Sequence, residues 1–160
     1  MSGRATPATV AAGRTKTTYT LHPYEAEGGD GHSYGTDAAD ALGISRGRVF
    51  KTLVAEVDGV LTVGVVPVST SLDLKALAAA VGGKRAVMAD PALAEKATGY
   101  VRGGISPLGQ RKRLRTVVDA SAREQRTVYV SAGRRGLQME LTPADLIALT
   151  EAVVAPIGAG

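Results

Sequence analysis

Lys51 stands in the run Val49-Phe-Lys-Thr-Leu-Val, among residues that favour extended backbone. If 49–57 is a strand, Lys51 shares a face with Val49, Leu53 and Val57, while Phe50 and Thr52 share the other. A cation on an otherwise apolar face reads two ways. It is an edge lysine that snorkels to water and blocks edge pairing, or it stands at the mouth of a pocket and holds a phosphate or a ligand hydroxyl. The second candidate is Gly103-Gly104-Ile105-Ser106-Pro107-Leu108-Gly109. Paired glycines let backbone approach a ligand closely, with N–H groups able to donate to the oxyanion of an ester under attack. A tight connection that needs positive φ would use the same residues. The third is a basic set around that loop: Arg102, Arg111, Lys112, Arg113 and Arg115, with Lys84, Arg85, Arg134 and Arg135 elsewhere. A charge run is ordinarily a solvated face. Directly after a ligand-binding loop it lies where a phosphate backbone would run. Tyr24, Tyr34, Asp73 and Ser131 are smaller candidates, each as readily structural; Tyr34, beside Gly35 in a loop, is best placed to cover a pocket. His22, before Pro23, reads as a strand end with no special role.

The composition removes several chemistries. The chain has 160 residues and no cysteine, so disulfides, thiolate metal sites and a cysteine nucleophile are excluded. His22 and His32 are its two histidines, too few at workable spacing for a zinc site, and a serine triad would need one of them as its base. Neither a P-loop nor a dinucleotide fingerprint is present. A net charge of +4 permits a polyanionic partner without demanding one. Aromatics at 4% are too few for a platform that stacks several bases. No apolar run spans a bilayer and no signal-peptide h-region precedes Lys16, so the expected location is cytoplasmic, with no membrane partner.

The elements that must position these residues follow from local signals. Thr6-Pro7 caps a helix to about Arg14. A strand runs over 18–21 and ends at His22-Pro23, and the Gly/Asp clusters over 27–34 form a loop. Thr36 caps a helix through Leu42, stopped by Gly43. Strands 49–57 and 60–68 flank Asp58-Gly59, a hairpin turn; the valines of the second predict burial on both faces. A helix covers 74–81, a short strand 86–88, and a helix starting at Asp90-Pro91 ends at Gly99. Strands follow over 116–119 and 127–131, then a basic turn over 133–136, a strand over 137–141, and a last helix from Thr142-Pro143 to about Val154. The order is that of one α+β domain with a mixed sheet over 1–160, with residues 1–5 frayed.

Six segments taken together are far more specific than any alone. Val49-Phe-Lys-Thr-Leu-Val, Leu72-Asp-Leu-Lys, Met88-Ala-Asp-Pro, Thr98-Gly-Tyr, Gly103-Gly-Ile-Ser-Pro-Leu-Gly-Gln, and Tyr129-Val-Ser with Arg135-Gly-Leu resemble the YbaK/EbsC family in order and spacing, over about Tyr19 to Val154. These are bacterial Cys-tRNA(Pro)/Cys-tRNA(Cys) deacylases related to the editing domain of prolyl-tRNA synthetase. The resemblance implies a mixed, partly barrel-like sheet surrounded by helices, with the site between the lysine strand and the glycine loop. It implies that Lys51 positions the terminal aminoacyl-adenosine, that Thr52 follows it, and that Gly103 and Gly104 bring backbone to the substrate. Ile105 and Ser106 belong to that loop, and Tyr24 and Ser131 line the pocket. Tyr34 stands where a close relative has phenylalanine, and Gln138 where it has aspartate, which removes a charge near the site. Arg102, Arg111, Lys112, Arg113, Arg134 and Arg135 would meet the tRNA.

The family's chemistry accounts for the missing nucleophile. The substrate's own cysteine thiol attacks its ester, a cyclic thiolactone leaves and tRNA is released. A thiol with a pKa of about 8.5 is partly ionised near neutral pH. The protein then has to hold an attack geometry and stabilise an oxyanion, with no cofactor or metal. The expected function is trans-editing of mischarged Cys-tRNA(Pro). Alternatives are deacylation of another mischarged tRNA such as Ala-tRNA(Pro), which needs an activated water, and a non-catalytic tRNA-binding module. Prolyl-tRNA synthetase and an elongation factor are the expected helpers; the oligomeric state is open.

Overall fold

A computed structural model describes residues 5–25 and 34–160, except for the side chains of Tyr34 and Gly35. The loop expected over 27–34 falls outside the described residues, apart from Tyr34, which opens a helix. The elements are α1 (Pro7–Arg14), β1 (Thr20–Pro23), α2 (Tyr34–Leu42), β2 (Phe50–Val57), β3 (Val60–Pro67), β4 (Ser71–Leu72), α3 (Leu74–Ala80), β5 (Ala86–Met88), α4 (Pro91–Thr98), β6 (Arg115–Asp119), β7 (Val128–Arg134), β8 (Leu137–Leu141), α5 (Pro143–Thr150), β9 (Val153–Ala155) and β10 (Gly158–Ala159). A 3-10 helix spans Ala120–Glu124.

Strands β5-β2-β3-β6-β9 form a five-stranded sheet. Its β2–β3 hairpin is antiparallel, and β6 runs parallel to both β3 and β9. Asp58 (φ 50°) and Gly59 (φ 83°) make the tight turn, whose two left-handed residues match the twist of the strands. Strands β1-β8-β7 form a second, antiparallel sheet, and β4 pairs with β10. The two larger sheets meet where Val49 bridges Tyr129 in parallel and the Tyr129 N–H donates to the Arg48 carbonyl at 2.9 Å. This junction curls one sheet against the other, so their inner faces enclose the main core. Phe50, Val54, Val63 and Val65 come from one sheet, Val128, Val130, Leu137, Met139 and Leu141 from the other, with Ala8, Ala12, Tyr100, Leu108 and Leu146 filling in. The outer face of the larger sheet packs Ala55, Val57, Val66 and Val117 against Leu77 and Ala78 of α3. A small cluster of Ala39, Val49, Val68 and Tyr129 seats α2 over the junction.

Several expected boundaries move. β1 begins at Thr20, so His22 and Pro23 lie within it, paired with β8. Thr36 lies inside α2 and does not cap it. The turn expected over 133–136 shrinks to Arg135-Gly136, because Gly133 (φ 113°) forms a bulge within β7 between Ser131 and Arg134. The last helix ends at Thr150, where Glu151 takes a left-handed turn (φ 53°). Val153–Ala155 then pairs with β6 as a strand.

Candidate active site

Lys51 is half-buried on the outer face of β2, between the cluster under α2 and the cluster under α3. Desolvation holds its ammonium below the ordinary lysine value, and no charged partner among the described residues acts against that shift. The strand alternates as expected: Phe50 and Val54 face the main core, and Thr52 between them is 9% exposed with its hydroxyl unbonded.

The register carries Lys51 to its neighbours. The chain entering β2 runs parallel to β7 at the single Val49–Tyr129 bridge, so Lys51 and Ser131, each two residues further on, project from the same face. Ser131 pairs with Gln138 across β7–β8, and Gln138 pairs with His22 across β8–β1. One polar row therefore crosses four strands: Lys51, Ser131, Gln138, His22. The alternate residues Val130, Leu137, Met139 and Leu21 turn to the main core. Within the row the Ser131 hydroxyl accepts from the Gly133 N–H at 3.2 Å. Gln138 is 6% exposed, and its side-chain oxygen has no partner among the described residues.

Behind the row lies a bonded brace. His22 Nε2 is 2.8 Å from Glu140 Oε1, and Thr127 Oγ1 donates to Glu140 Oε2 at 2.6 Å. Arg48 Nη2 donates to Thr127 Oγ1 at 2.5 Å, and its guanidinium lies 5.2 Å from the centre of the Tyr129 ring, which the His22 ring also meets at 5.2 Å. The Thr127 hydroxyl, against a smaller opposing effect of burial and with help from His22, holds the Glu140 carboxyl below its usual range. Burial, reinforced by Glu140, raises the Tyr129 phenol. His22 was expected to be a plain strand end; the fold puts it in the row beside Gln138 and bonds it to Glu140. Its only trace in the sequence is alternation: His22, Gln138, Glu140, Tyr129 and Ser131 occupy the polar positions of strands whose other positions are apolar.

The glycine loop meets the same end of the strands. A Cβ on Gly104 would stand 2.7 Å from Arg134 Cα and 3.0 Å from Arg135 N, so this glycine lets the loop rest on the β7–β8 hairpin. Its N–H donates to the Val101 carbonyl at 2.9 Å. Gly103 is left-handed (φ 86°). Ile105 packs on the main core and Ser106 is fully buried. The Ser106 hydroxyl accepts from the Leu108 N–H at 3.2 Å, and its carbonyl accepts from Gln110 Nε2 at 3.0 Å. The Tyr24 N–H donates to the Gly136 carbonyl at 2.9 Å, which brings Tyr24 to the hairpin turn below the loop. The Tyr34 side chain and His32 lie outside the described residues.

The cations divide. Arg135 Nε donates to the Arg102 carbonyl at 3.0 Å, so Arg102, Arg134 and Arg135 border the loop and hairpin. Arg111 and Lys112 bond back to the end of α4 through Thr98 and Ala97. Arg113 points elsewhere: it pairs with Glu151 at 3.1 Å and lines an open cleft of about 550 Å³ between α1, α5 and the segment after the loop. Asp73 caps α3 by accepting from the Ala76 N–H at 3.0 Å. No helix among the described residues is long and apolar enough to cross a membrane.

This arrangement has relatives. A protein of Enterococcus faecalis named "Putative Cys-tRNA(Pro)/Cys-tRNA(Cys) deacylase EbsC" is 40% identical over 135 residues, which cover 84% of this chain and 82% of that protein. A crystal structure described as that of "a putative trans-editing enzyme for prolyl tRNA synthetase" superposes with a TM-score of 0.81 at 26% identity, over 98% of this chain and 99% of that one. A structure titled "hypothetical protein APE2540" shares the fold at a TM-score of 0.83 and 24% identity, over 96% and 99% of the two chains. The aminoacyl-tRNA editing domain family matches residues 30–149, a stretch that holds Lys51, the glycine loop, Ser131 and Gln138, and the chain belongs to that family.

Proposed function

We propose that this protein is a trans-editing deacylase that removes cysteine from mischarged Cys-tRNA(Pro), acting in the cytoplasm where tRNA is charged. The row of Lys51, Ser131 and Gln138 beside the glycine loop carries the reading: it offers a cation and polar groups for a zwitterionic ester, in a chain without a cysteine nucleophile. The 40% identity to a protein named for this substrate supports the choice of cysteine.

The reaction needs little from the protein. The substrate thiol gives up its proton, and its sulfur attacks the ester carbonyl carbon. A C–S bond forms, the bond to the ribose oxygen breaks, and that oxygen takes a proton as tRNA leaves. The cyclic thiolactone departs and opens in water. Lys51 meets the phosphate or hydroxyls of the terminal adenosine, and the loop backbone faces the carbonyl. Holding the thiol against the ester turns a rare encounter into an intramolecular step. Serine escapes because a hydroxyl is a far weaker nucleophile than a thiol. Arg102, Arg134 and Arg135 lie where the acceptor end would approach. The remaining tRNA specificity falls to prolyl-tRNA synthetase or an elongation factor.

The test is deacylation of purified Cys-tRNA(Pro) and Ala-tRNA(Pro), with Lys51→Ala as control. The cysteinyl ester is expected to be cleaved, the alanyl ester to survive, and Lys51→Ala to lose about 100-fold or more in kcat/KM. Cleavage of the alanyl ester alone would replace thiol attack with an activated water. Binding of tRNA without cleavage of either ester would make the protein a binding module.

A further inference from the structure

Gln138 is the centre of the polar row, with Ser131 on one side and His22 on the other. Its side chain is more than nine-tenths buried, yet its oxygen accepts no hydrogen bond. A buried acceptor left unsatisfied is costly, and native structures seldom keep one without use.

The charges around it tell what would satisfy it. Lys51 holds the β2 end of the row. With neighbouring strands about 4.8 Å apart, it stands roughly 10 Å from Gln138, two strands away. Glu140 is on the same strand and face as Gln138, two residues on, with His22 and Thr127 bonded to its oxygens and Arg48 at 3.8 Å. Tyr129 completes the neighbouring positions on β7, and α2 covers that side through Ala39. The row is thus positive at β2 and offers a buried acceptor next to a carboxylate at β8. An aminoacyl-adenosine has the same polarity over a similar span, with phosphate at one end and an α-ammonium at the other. Lys51 would repel that ammonium, so it belongs at the far end.

We propose that Gln138 is a specificity-determining residue of the aminoacyl site, whose side-chain oxygen accepts a hydrogen bond from the α-ammonium of the substrate. This rests on the deacylase reading above. The amide accepts the ammonium without placing a second full negative charge beside the reacting thiol, which would hold that thiol protonated.

The experiment compares single-turnover deacylation of Cys-tRNA(Pro), N-acetyl-Cys-tRNA(Pro) and Cys-tRNA(Pro) ending in 2′-deoxyadenosine by wild type, Gln138→Met and Gln138→Glu. Each variant's fold is checked by circular dichroism and thermal melting. Wild type is expected to favour the free amine over the acetylated one. Gln138→Met, which keeps length but has no strong acceptor, is expected to lose about 10- to 100-fold on Cys-tRNA(Pro) and to treat both esters alike. Gln138→Glu, which keeps an acceptor, is expected to retain the preference. Undiminished preference for the free amine in folded Gln138→Met overturns the proposal. So does a loss that disappears only on the 2′-deoxy substrate, which would assign the oxygen to a ribose hydroxyl. If wild type cleaves none of the three, the deacylase reading itself falls and takes this proposal with it.

Discussion

Lys51 should cost the fold stability, and that cost can be measured. Its ammonium is held below the ordinary value of 10.5 by desolvation alone. Methionine has a similar length and no charge, so Lys51→Met removes the desolvation without opening a cavity. Discounted for the part of the side chain that still reaches water, the gain at pH 7 is expected to be about 0.5–1 kcal/mol. It should appear as a higher urea midpoint at unchanged slope, in a protein that no longer deacylates. The sign with pH follows from linkage. The native lysine gives up its proton more readily than the unfolded one, so between the folded pKa and 10.5 the unfolded chain binds more protons and wild-type stability rises. The variant's advantage is therefore full near neutrality and narrows as pH climbs toward 10.5. A variant less stable than wild type at pH 7 would mean that the ammonium has a partner in the native fold. Lys51 could be read as a candidate from the sequence because a cation interrupts an apolar strand face. Gln138 was joined to it only through the family resemblance and His22 not at all, since their meeting depends on the register of strands drawn from residues 20 to 141.

Among the elements, the glycine loop shows where local and distant signals part. The sequence pairs Gly103 with Gly104 and suggests backbone brought to a ligand. In the fold Gly104 brings backbone to backbone, on the β7–β8 hairpin. Gly104→Ala would set a methyl 2.7 Å from Arg134 Cα, which cannot swing aside as a side-chain tip can. The loop must lift from the hairpin, at about 1–3 kcal/mol. The expected result is a melting temperature lower by several degrees. At a temperature where the variant is still folded, kcat/KM should fall further than the loss of folded protein explains, because the loop rests on the hairpin whose strands β7 and β8 carry Ser131 and Gln138. Normal kcat/KM in folded Gly104→Ala would detach the loop from catalysis. Other elements were legible because their signals are local conflicts of backbone and side chain. Thr6-Pro7, Asp58-Gly59, Asp90-Pro91 with Gly99, and Thr142-Pro143 each mark a real terminus or turn. The strands β4, β9 and β10 were not legible. They are two or three residues long and exist through partners far along the chain; Val153 and Val154 merely prolong the apolar run of α5 until Glu151 breaks the helix.

At the scale of the molecule, the five-stranded sheet is tied to the chain's last segment through one carboxylate. Asp119 ends β6, and its Oδ1 accepts from the Ile157 N–H at 2.8 Å and the Gly158 N–H at 2.9 Å. Its Oδ2 accepts from the Ser121 N–H at 3.2 Å and from the Ser121 hydroxyl. Ile157 is fully buried under α3, and Gly158 pairs with Leu72 of β4, so this residue joins the 3-10 helix, the final strands and the outer core. Burial works to raise its pKa, but the hydrogen bonds from Ser121, Gly158 and Ile157 together outweigh burial and hold it below the ordinary 3.8. A depressed carboxylate stabilises the fold fully above its unfolded pKa, and that contribution fades as pH falls through the lower folded value. Asp119→Asn keeps the shape and one acceptor but removes the charge, and is expected to lose about 1–3 kcal/mol at pH 7. Urea unfolding at pH 7 and near pH 3 checks the sign: the gap between wild type and variant should shrink at the lower pH, where the wild-type carboxyl takes up its proton. An equal gap at both pH values would mean that the clasp works through shape and not through charge. Asp119 lies on a strand outside the polar row, so deacylation by the folded variant well below its melting temperature is expected to stay at the wild-type level. Stability and catalysis would then be separable on different strands of the one sheet face that carries Lys51.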